Sequence, residues 1–381
     1  MALRAYMAKA LMLLSNPYRP DPRVQREALA LVGVGHSVTI LSWDREGLRS
    51  SHKDGPVKVV RLGPRAGYTS PLDMVLKLPL FWKRAIWAAA RERFDIVHAH
   101  DFDTLPLGAA VSWLRGVPLV YDAHERYSDM VAGSLPNIAI RFIEWLEEVL
   151  LRKASAFITV NDVFVENYRK KGARNPVAVM NCQDPVDAKP SKIREELGIG
   201  SRFTVIYIGV LEPERSLAEA IEAFKSLPKD EFFLVLGGFG SLSGDLKRRA
   251  VGLENVKVLD RVPSEMVIPH TMAADAVLVC FDPRNRNNRD GAPNKLFEAM
   301  AAGKPSIVAK GTYAARVAEE EKCGVAIEYG NADALANVVK NLRDGKHGDV
   351  GAYARRAFSE KYNWGKMRKR LLDAYKLVLS R

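Results

Sequence analysis

The sequence predicts an α/β protein with two domains, each built on a parallel sheet. Three observations lead to this prediction. The chain has 381 residues, which suits two ordinary domains better than one very large one. Short apolar runs alternate with helical patterns, as parallel βαβ units require. One stretch with prolines and charges but no periodicity, residues 182–192, interrupts the alternation and predicts a linker.

The first half contains six apolar runs that predict buried strands. They are residues 10–15, 37–43, 94–100, 118–125, 156–161 and 176–181. Helical periodicity follows three of them, at residues 24–35, 104–116 and 140–154. We expect the segment between the second and third runs to be a basic surface segment. His98 and His100 alternate on the third strand, so we expect their side chains to face opposite ways, each in a structural role.

The same alternation restarts after the linker. Strands are predicted at residues 202–211, 232–240, 256–260, 276–281 and 305–309, and helices from about residue 217, near 269–276 and at the chain end, 362–381. Between the last two strands lies a polar loop, 282–292, and a short helix. Pro293 suits the first turn of that helix, and Gly303 suits its left-handed end. Glu298 lies about one turn inside, and periodicity alone makes it an ordinary half-exposed acid.

Composition narrows the functional classes. Apolar residues make up 48% and charged residues 27%, as in soluble globular proteins, and no run approaches a membrane span. The net charge of +12 favours polyanionic partners: nucleotide phosphates, nucleic acid or an anionic membrane. The three cysteines are far apart, which argues against disulfides and predicts a reducing cytoplasm. The start of the chain mimics a weak signal peptide, but Lys9 interrupts it, so a buried first strand is predicted there.

Several stretches in this order resemble the GT-B glycosyltransferases and, among them, the retaining enzymes of family 4. The resemblance covers nearly the whole chain. The stretches that carry it are NPYRPDPRVQREALALVGVGHSVTIL (16–41), DIVHAHD (95–101), VYDAHE (120–125), YIGVLEPERSL (207–217), LVLGGFG (234–240) and APNKLFEAMAAGKPSIV (292–308). The resemblance implies two Rossmann-like domains, 1–185 for the acceptor and 186–361 for the donor, with a deep cleft between them. It also implies a terminal helix, 362–381, that returns to the first domain.

The resemblance implies a donor site for a nucleotide-diphosphate sugar in the second domain. Glu298 would bind the ribose hydroxyls, because a carboxylate accepts two hydroxyl protons. Arg215 would neutralise the leaving diphosphate, although it could instead pair with Glu212 or Glu219. Asp290 would hold the donor sugar, or else only form a turn before Gly291; in the second case the sugar would meet the backbone amides of residues 291–295. The other implied donor-binding positions are Gly209, Gly238, Asn294, Lys295 and Leu296.

This chain departs from the family pattern at one donor-site position. Val210 stands where many members have a second arginine, which leaves the neutralisation of the diphosphate incomplete. Lys295 is the candidate that would replace this charge, unless it is simply solvated. The other candidate cations are the loop arginines Arg284, Arg286 and Arg289.

The first domain contributes the acceptor side. A histidine at the place of His124 approaches the donor sugar in the family, and it would orient the sugar rather than act as a base; a satisfied core histidine is the alternative. The resemblance implies a front-face mechanism, in which the leaving phosphate takes the acceptor's proton. Asp101, Glu125, Asp21 and Arg23 are acceptor-side candidates.

Together these features predict a retaining, metal-independent and cofactor-free glycosyltransferase whose acceptor is a lipid-linked or cell-surface glycan. Residues 77–93, with five cations and three large aromatics, suit an anionic membrane surface or else pack their aromatics on the core. A peripheral location on the cytoplasmic face follows, and no nucleic-acid motif is present. The alternatives are a nucleotide-sugar 2-epimerase and a degenerate nucleotide-sugar-binding protein.

Overall fold

The computed structural model describes residues 7–19, 21–48, 52–67, 71–185 and 188–380. The chain divides into two compact units. Met1–Met180 and Met367–Arg381 form the first, and Asn181–Lys366 form the second. The predicted linker has neither helix nor strand in its described residues, 182–185 and 188–192.

A parallel sheet forms the centre of the first unit. Its strands are β1 (Lys9–Leu14), β2 (Ser37–Trp43), β3 (His52–Asp54), β4 (Val57–Leu62), β5 (Ile96–His100), β6 (Leu119–Ala123), β7 (Ala156–Thr159) and β8 (Pro176–Ala178). Their order is β3-β4-β2-β1-β5-β6-β7-β8, and within the described residues only β3 pairs antiparallel. The predicted basic surface segment was wrong in part, because β3 and β4 extend the sheet there and Val57 and Val59 are buried.

Helices cover both faces of this sheet. They are α1 (Pro22–Val32), α2 (Pro71–Arg91), α3 (Leu105–Arg115), α4 (Tyr127–Val131), α5 (Asn137–Leu151) and α6 (Asp162–Lys170). Helices α2, α3 and α5 pack against one face through a shared apolar cluster that includes Leu11, Leu13, Phe81 and Val111. Because all strands of this sheet except β3 run parallel, their carboxyl ends lie at one edge, where ligands bind in such sheets.

The second unit repeats the pattern. Its strands are β9 (Phe203–Val210), β10 (Phe232–Phe239), β11 (Val256–Leu259), β12 (Ala276–Val279), β13 (Ser306–Ala309) and β14 (Gly324–Ile327), all parallel in the order β11-β10-β9-β12-β13-β14. Its helices are α7 (Ile193–Glu196), α8 (Leu217–Lys225), α9 (Ser243–Arg249), α10 (Ser264–Ala273), α11 (Arg286–Asp290), α12 (Asn294–Ala302), α13 (Tyr313–Glu320), α14 (Ala332–Arg343) and α15 (Val350–Glu360). Helix α16 (Trp364–Leu379) contributes its residues from Met367 on to the first unit.

Three local predictions in the second unit need correction. The polar loop 282–292 contains the short helix α11, because the side chain of Asn285 caps its first turn by accepting a hydrogen bond from Asn287 N. Pro293 is extended and precedes α12 instead of lying in its first turn. The helix predicted near 269–276 begins earlier, at Ser264, although Pro269 lies inside it. The left-handed end of α12 is confirmed, since Gly303 has a φ of 65°.

A helix that crosses a bilayer needs about 20 predominantly apolar residues. Within the described residues, none combines the length and the apolar character needed to cross a bilayer.

Candidate functional site

Two strands of the second unit meet at a glycine pair where β9 and β10 end. Gly238 lies opposite Gly209 and has a φ of 146°. A β-carbon on Gly238 would lie 1.8 Å from the carbonyl oxygen of Gly209, so only glycine fits. A β-carbon on Gly209 would lie 2.9 Å from Cε of Lys295. The glycine pair thus leaves a space over the strand end that the stem of Lys295 enters.

An ion pair lies at the start of α12. Lys295 Nζ donates a 2.5 Å hydrogen bond to Glu298 Oε2, and Glu298 is only 8% exposed. The half-exposed acid expected from periodicity is therefore a buried one, held against a cation. Asn294 is exposed at the first position of the helix. Leu296, also a predicted donor-binding residue, is buried in the core, and its N–H donates to the Pro293 carbonyl.

Arg215 lies beside this ion pair, in a short 3₁₀ turn after β9. Its Nη1 donates to Asn288 Oδ1 at 2.7 Å, and its guanidinium carbon lies 4.0 Å from the centroid of the Phe281 ring. Burial raises the pKa of Tyr207 to about 12, while a hydrogen bond with Arg215 opposes that rise. The negative charge of Glu298 also raises the pKa of Tyr207. Glu298 and Arg215 therefore both lie near the Tyr207 hydroxyl.

Asn288 joins the Arg215 turn to α11. Its amide nitrogen donates to Glu214 Oε2 at 2.6 Å while its oxygen accepts from Arg215, and Asn285 Nδ2 donates to the same carboxylate at 3.1 Å. Sequence reasoning missed this bridge. The only sign of it in the sequence was the group of three asparagines in the loop 282–292, which had been treated as ordinary polar loop residues. The alternative partner Glu212 instead accepts from Ser241 N at 2.9 Å.

The remaining predicted donor residues lie at the rim of this group. Asp290 ends α11, and its carboxylate accepts from Arg289 Nε at 2.8 Å. Val210 ends β9 and is 44% exposed, so an apolar side chain faces solvent at the place of the second cation. Arg284 is bound to Asp282 at 2.7 Å. Of the predicted donor residues, Gly209, Gly238, Lys295 and Glu298 lie together, and Arg215 is near the same Tyr207 hydroxyl as Glu298.

His124 follows β6 in the first unit and lies between two carboxylates. Its Nδ1 is 3.2 Å from Asp101 Oδ2, and its Nε2 is 3.2 Å from Asp122 Oδ2. Its backbone N–H donates to Asp101 Oδ1 at 2.9 Å. Burial alone would lower the pKa of His124, but the two carboxylates raise it to about 9. The imidazole is therefore charged at neutral pH, which suits a hydrogen-bond donor and not a general base.

Asp122 is held by a buried arginine. Arg23 Nε and Nη2 donate to the two oxygens of Asp122 at 3.0 and 2.7 Å, and Nη1 donates to Val179 O at 2.6 Å. Although burial acts in the opposite direction, Arg23 and His124 hold the pKa of Asp122 well below its usual range. Arg23 was predicted to contact an acceptor. Because it is 4% exposed and its nitrogens are bonded to protein, it positions Asp122 instead.

The prediction that His98 and His100 face opposite ways was wrong. Residues two apart on a strand point to the same face, and these rings stack with centroids 4.2 Å apart. His98 Nδ1 contacts Tyr375 Oη on α16 at 2.8 Å, and His100 Nδ1 lies 3.2 Å from His124 Nε2. Both are fully buried, and burial lowers the pKa of each, so they remain neutral.

One group of side chains has the spacing of metal ligands in the part of the chain that the structure describes. Ligand atoms of Glu27, His98, His100 and Asp122 lie within 4.8 Å of one another. However, the guanidinium of Arg23 already contacts both carboxylates, at 3.2 Å from Glu27 and 2.7 Å from Asp122. This fixed cation already pairs with the two carboxylates that a metal would use.

The other acceptor-side candidates, Asp21, Asp101 and Glu125, differ in whether their carboxylates are used within the fold or reach solvent. Asp21 caps α1, where its carboxylate accepts from the backbone of Arg23 and Val24. Asp101 has a φ of 61° and a side chain that is 33% exposed, so it can reach solvent while it holds His124. Glu125 is exposed next to His124. Asp101 and Glu125 are therefore the acids that a ligand at this strand edge could contact.

Residues 77–91 form the second part of α2, and the three large aromatics of the segment 77–93 divide between core and surface. Phe81 is fully buried and stacks on Trp43 at 5.5 Å, while Trp82 Nε1 donates to Asp103 O at 2.9 Å. Trp87 is 63% exposed, under the guanidinium of Arg91. The core-packing alternative therefore accounts for two of the three aromatics.

Comparisons with known proteins agree with this architecture. Residues 20–182 match the model of the glycosyl transferase 4-like domain, and residues 190–357 match that of the glycosyl transferases group 1. The chain is 24% identical over 352 residues to the succinoglycan biosynthesis protein ExoL of Rhizobium meliloti (strain 1021), covering 87% of this chain and 84% of that protein.

Two further similarities concern an enzyme sequence and a solved structure. The UDP-Gal:alpha-D-GlcNAc-diphosphoundecaprenol alpha-1,3-galactosyltransferase of Escherichia coli is 25% identical, over 67% of this chain and 68% of that protein. The sucrose-phosphate synthase of Thermosynechococcus elongatus has the same fold, with a TM-score of 0.78 and 17% identity, covering 98% of this chain and 99% of that one.

Proposed function

The chain belongs to the GT-B glycosyltransferases of the family 4 type, and from this premise we propose its reaction. It moves a sugar from a nucleotide-diphosphate sugar to a lipid-linked or cell-surface glycan acceptor, with retention of configuration and without a metal. The observation that carries this proposal is the buried pair of Glu298 and Lys295 beside Arg215, at the carboxyl edge of the second sheet.

The side chains of Lys295, Glu298 and Arg215 suit the two parts of a nucleotide diphosphate, its phosphates and its ribose hydroxyls. In the structure, Lys295 and Glu298 neutralise each other at 2.5 Å. A ligand with both a phosphate and a ribose diol can satisfy each side chain separately. The phosphate would take the ammonium of Lys295, and the hydroxyls would donate to Glu298. Arg215, fixed by Asn288, and the first N–H groups of α12 would add positive charge for the diphosphate.

The charge state of His124 supports a front-face mechanism. An imidazole with a pKa of about 9 already carries its proton at pH 7, so it does not deprotonate an acceptor hydroxyl. In the proposed step, the acceptor oxygen bonds to the anomeric carbon as the bond to the diphosphate oxygen breaks on the same face. The acceptor's proton passes to that leaving oxygen. With its two ring N–H groups held by Asp101 and Asp122, the charged His124 orients the sugar, and Arg215 stabilises the leaving charge.

A lipid-linked acceptor is supported by one relative. The Escherichia coli enzyme that resembles this chain carries a UDP-sugar donor and a diphosphoundecaprenol acceptor in its name. Its acceptor class suits the net charge of +12, because a prenyl diphosphate is an anion at the membrane surface. We therefore place the reaction at the cytoplasmic membrane face.

A catalytically degenerate binding protein remains the second candidate, because one observation favours it. Val210 presents an apolar, 44% exposed side chain where a second cation would help the leaving group. Such a protein would bind the nucleotide sugar without turning it over. A 2-epimerase would instead convert the donor without any acceptor.

The test is turnover with purified protein, UDP-, GDP- and ADP-sugars, and a prenyl-diphosphate-linked sugar, with and without a chelator. The proposal predicts a glycosylated lipid only when donor and acceptor are both present, with the donor's anomeric configuration and no loss in chelator. Glu298→Gln should abolish most turnover, whereas the exposed Glu265→Gln, in the same unit, serves as the matched control. Epimerised donor in the absence of acceptor, or binding with no product, would contradict the proposal.

A further inference from the structure

Four buried polar atoms of the first unit lie together without a hydrogen-bond partner among the described residues. They are both carboxylate oxygens of Glu27 on α1 and the Nε2 atoms of His98 and His100 on β5. All three side chains are fully buried, and the polar atoms that they offer lie within 4.8 Å of one another. Because buried polar groups are almost always paired, a group of four unpaired atoms calls for one explanation.

The sheet directs both histidines towards Glu27. Alternate residues of β5 belong to the apolar cluster that α2 and α3 cover, so His98 and His100 point to the opposite face. On that face, His98 Nε2 lies 3.9 Å from Glu27 Oε2, and His98 Nδ1 lies 2.8 Å from Tyr375 Oη on α16. The ring of His98 therefore stands between Glu27 and the terminal helix, and it stacks on the ring of His100.

The other nitrogen of His100 contacts the charged His124. The two atoms, His100 Nδ1 and His124 Nε2, are 3.2 Å apart. Both ring nitrogens of a charged imidazole are donors, so His124 shares this N–H between His100 and Asp122 Oδ2, which is also 3.2 Å away. A proton on His100 Nδ1 would set two N–H groups against each other. His100 therefore accepts at Nδ1, and as a neutral imidazole it carries its proton on Nε2.

Glu27 matches the two Nε2 atoms in donors and acceptors. Burial and the negative charge of Asp122 raise its pKa well above the usual value, against the opposing effect of Arg23, and this favours the protonated acid. A protonated carboxyl has one O–H donor and one acceptor oxygen. The oxygen suits the N–H of His100, and the O–H suits a lone pair on His98. Asp122 competes poorly for that O–H, since both its oxygens already accept from Arg23.

We propose that Glu27 is a positioning residue that acts on His124 through His100. By pairing with the two Nε2 atoms, it fixes the tautomer in which His100 accepts from His124, and so it holds the imidazolium in place. The 3.9 Å between Glu27 and His98 exceeds a direct hydrogen bond, and a buried water with several polar partners bridges atoms at such a spacing. The inference rests on the proposed function for its purpose, because His124 orients the donor sugar there.

Nitrogen-15 NMR of the full chain tests the proposal, because ring nitrogens with and without a proton differ widely in chemical shift. The chain has only seven histidines, so their signals can be assigned one by one. Glu27→Gln keeps one donor and one acceptor without a charge, whereas Glu27→Met removes both at similar size. Glu147→Met is the matched control, since Glu147 is equally buried in the same unit but accepts from Tyr121 and Tyr168. Thermal unfolding shows whether each variant folds.

We expect wild-type His100 to be protonated on Nε2 and His98 on Nδ1, and Glu27→Gln to keep both tautomers and the wild-type kcat. In Glu27→Met, His100 should populate both tautomers and kcat should fall about tenfold, with KM for the nucleotide sugar unchanged. Glu147→Met should keep the wild-type tautomers and kcat. A proton on Nδ1 of His100 in the wild type would overturn the proposal. So would Glu27→Met with the wild-type tautomers or kcat, or loss of the tautomers in Glu27→Gln.

The two readouts separate this inference from the proposed reaction. The tautomers are measured on protein without substrate, so they report on Glu27 whether or not sugar is transferred. Transfer by a wild type in which His100 has the other tautomer would remove the role of Glu27 alone. The expected tautomers, lost in Glu27→Met, in a wild type that transfers no sugar would remove the proposed reaction alone.

Discussion

Replacing Asp101 by asparagine removes one of the two carboxylates that keep the imidazole of His124 charged. Asparagine suits this position because it tolerates the φ of 61°, and its oxygen can still accept from the His124 backbone N–H. The variant therefore deletes a charge and keeps the local geometry. We expect the pKa of His124 to fall from about 9 towards its ordinary value of 6.5.

The magnitude follows from proton linkage. A histidine whose pKa rises on folding stabilises the fold fully below its unfolded value, and this contribution is lost as pH rises through the folded value. For His124 the window runs from 6.5 to about 9, and the difference corresponds to roughly 3 kcal/mol. With one of two carboxylates removed, about 1–2 kcal/mol of this pH-dependent stability should disappear.

The assay is a titration of the histidine ring signals by NMR, with urea unfolding at the two ends of the window. The site-resolved signal separates His124 from Asp103, whose pKa burial raises to about 7. Asp129→Asn is the matched control, since Asp129 pairs with Arg126 in the same unit. A wild-type His124 that titrates near 6.5, or an Asp101→Asn variant with the wild-type pKa, would refute the reasoning.

Three further predictions follow from the packing and the ion pairs. Gly238→Ala forces a β-carbon onto the Gly209 carbonyl and should cost about 3 kcal/mol or more in urea unfolding; wild-type stability would contradict the close approach. Asn288→Ala frees Arg215, and we expect kcat to fall about tenfold with little change in stability, whereas an unchanged kcat would exclude the positioning role. Arg23→Met removes two hydrogen bonds from the buried Asp122 and leaves it only the longer contacts with His124 and His100, so it should destabilise the protein by about 3 kcal/mol in urea unfolding; a loss below about 1 kcal/mol would contradict this role of Arg23.

Much of the fold followed from the sequence because the core strands are short, continuous apolar runs. Residues 10–15 and 276–281 could form little else than buried parallel strands, and the structure places β1 and β12 there. The edge strand β3 and its neighbour β4 were missed, since both are partly exposed and their mixed composition resembles a surface segment.

The candidate site was predictable only where a motif fixes the position along the chain. The spacing within APNKLFEAM placed Glu298 and Lys295, and the glycines placed Gly209 and Gly238. The bridge through Asn288 depends on contacts between residues more than 70 positions apart, which no local pattern encodes. The same holds for the pairing of His124 with Asp101, which the parallel register of β5 and β6 brings together, whereas Asp122 lies only two residues before His124.

Two outcomes corrected the interpretation of individual side chains. Arg23 was predicted to be a loop residue that contacts a ligand. It lies in the core instead, because it pairs with Asp122, 99 residues later in the chain. His98 and His100 were assigned to opposite faces, whereas the period of a strand is two and places them side by side. In both cases the error lay in the direction assigned to the side chain.

The central claim is that the group around Glu298 binds a nucleotide diphosphate. Calorimetric titration of the purified protein with UDP, GDP and ADP, without metal and beside the Glu298→Ala variant, tests it most directly. The account predicts selective binding to one of the three, weakened in the variant by roughly 1–3 kcal/mol, the cost of lost charge-assisted hydrogen bonds. Binding of equal strength in a folded Glu298→Ala variant, or no binding of any of the three to folded wild-type protein, would contradict it.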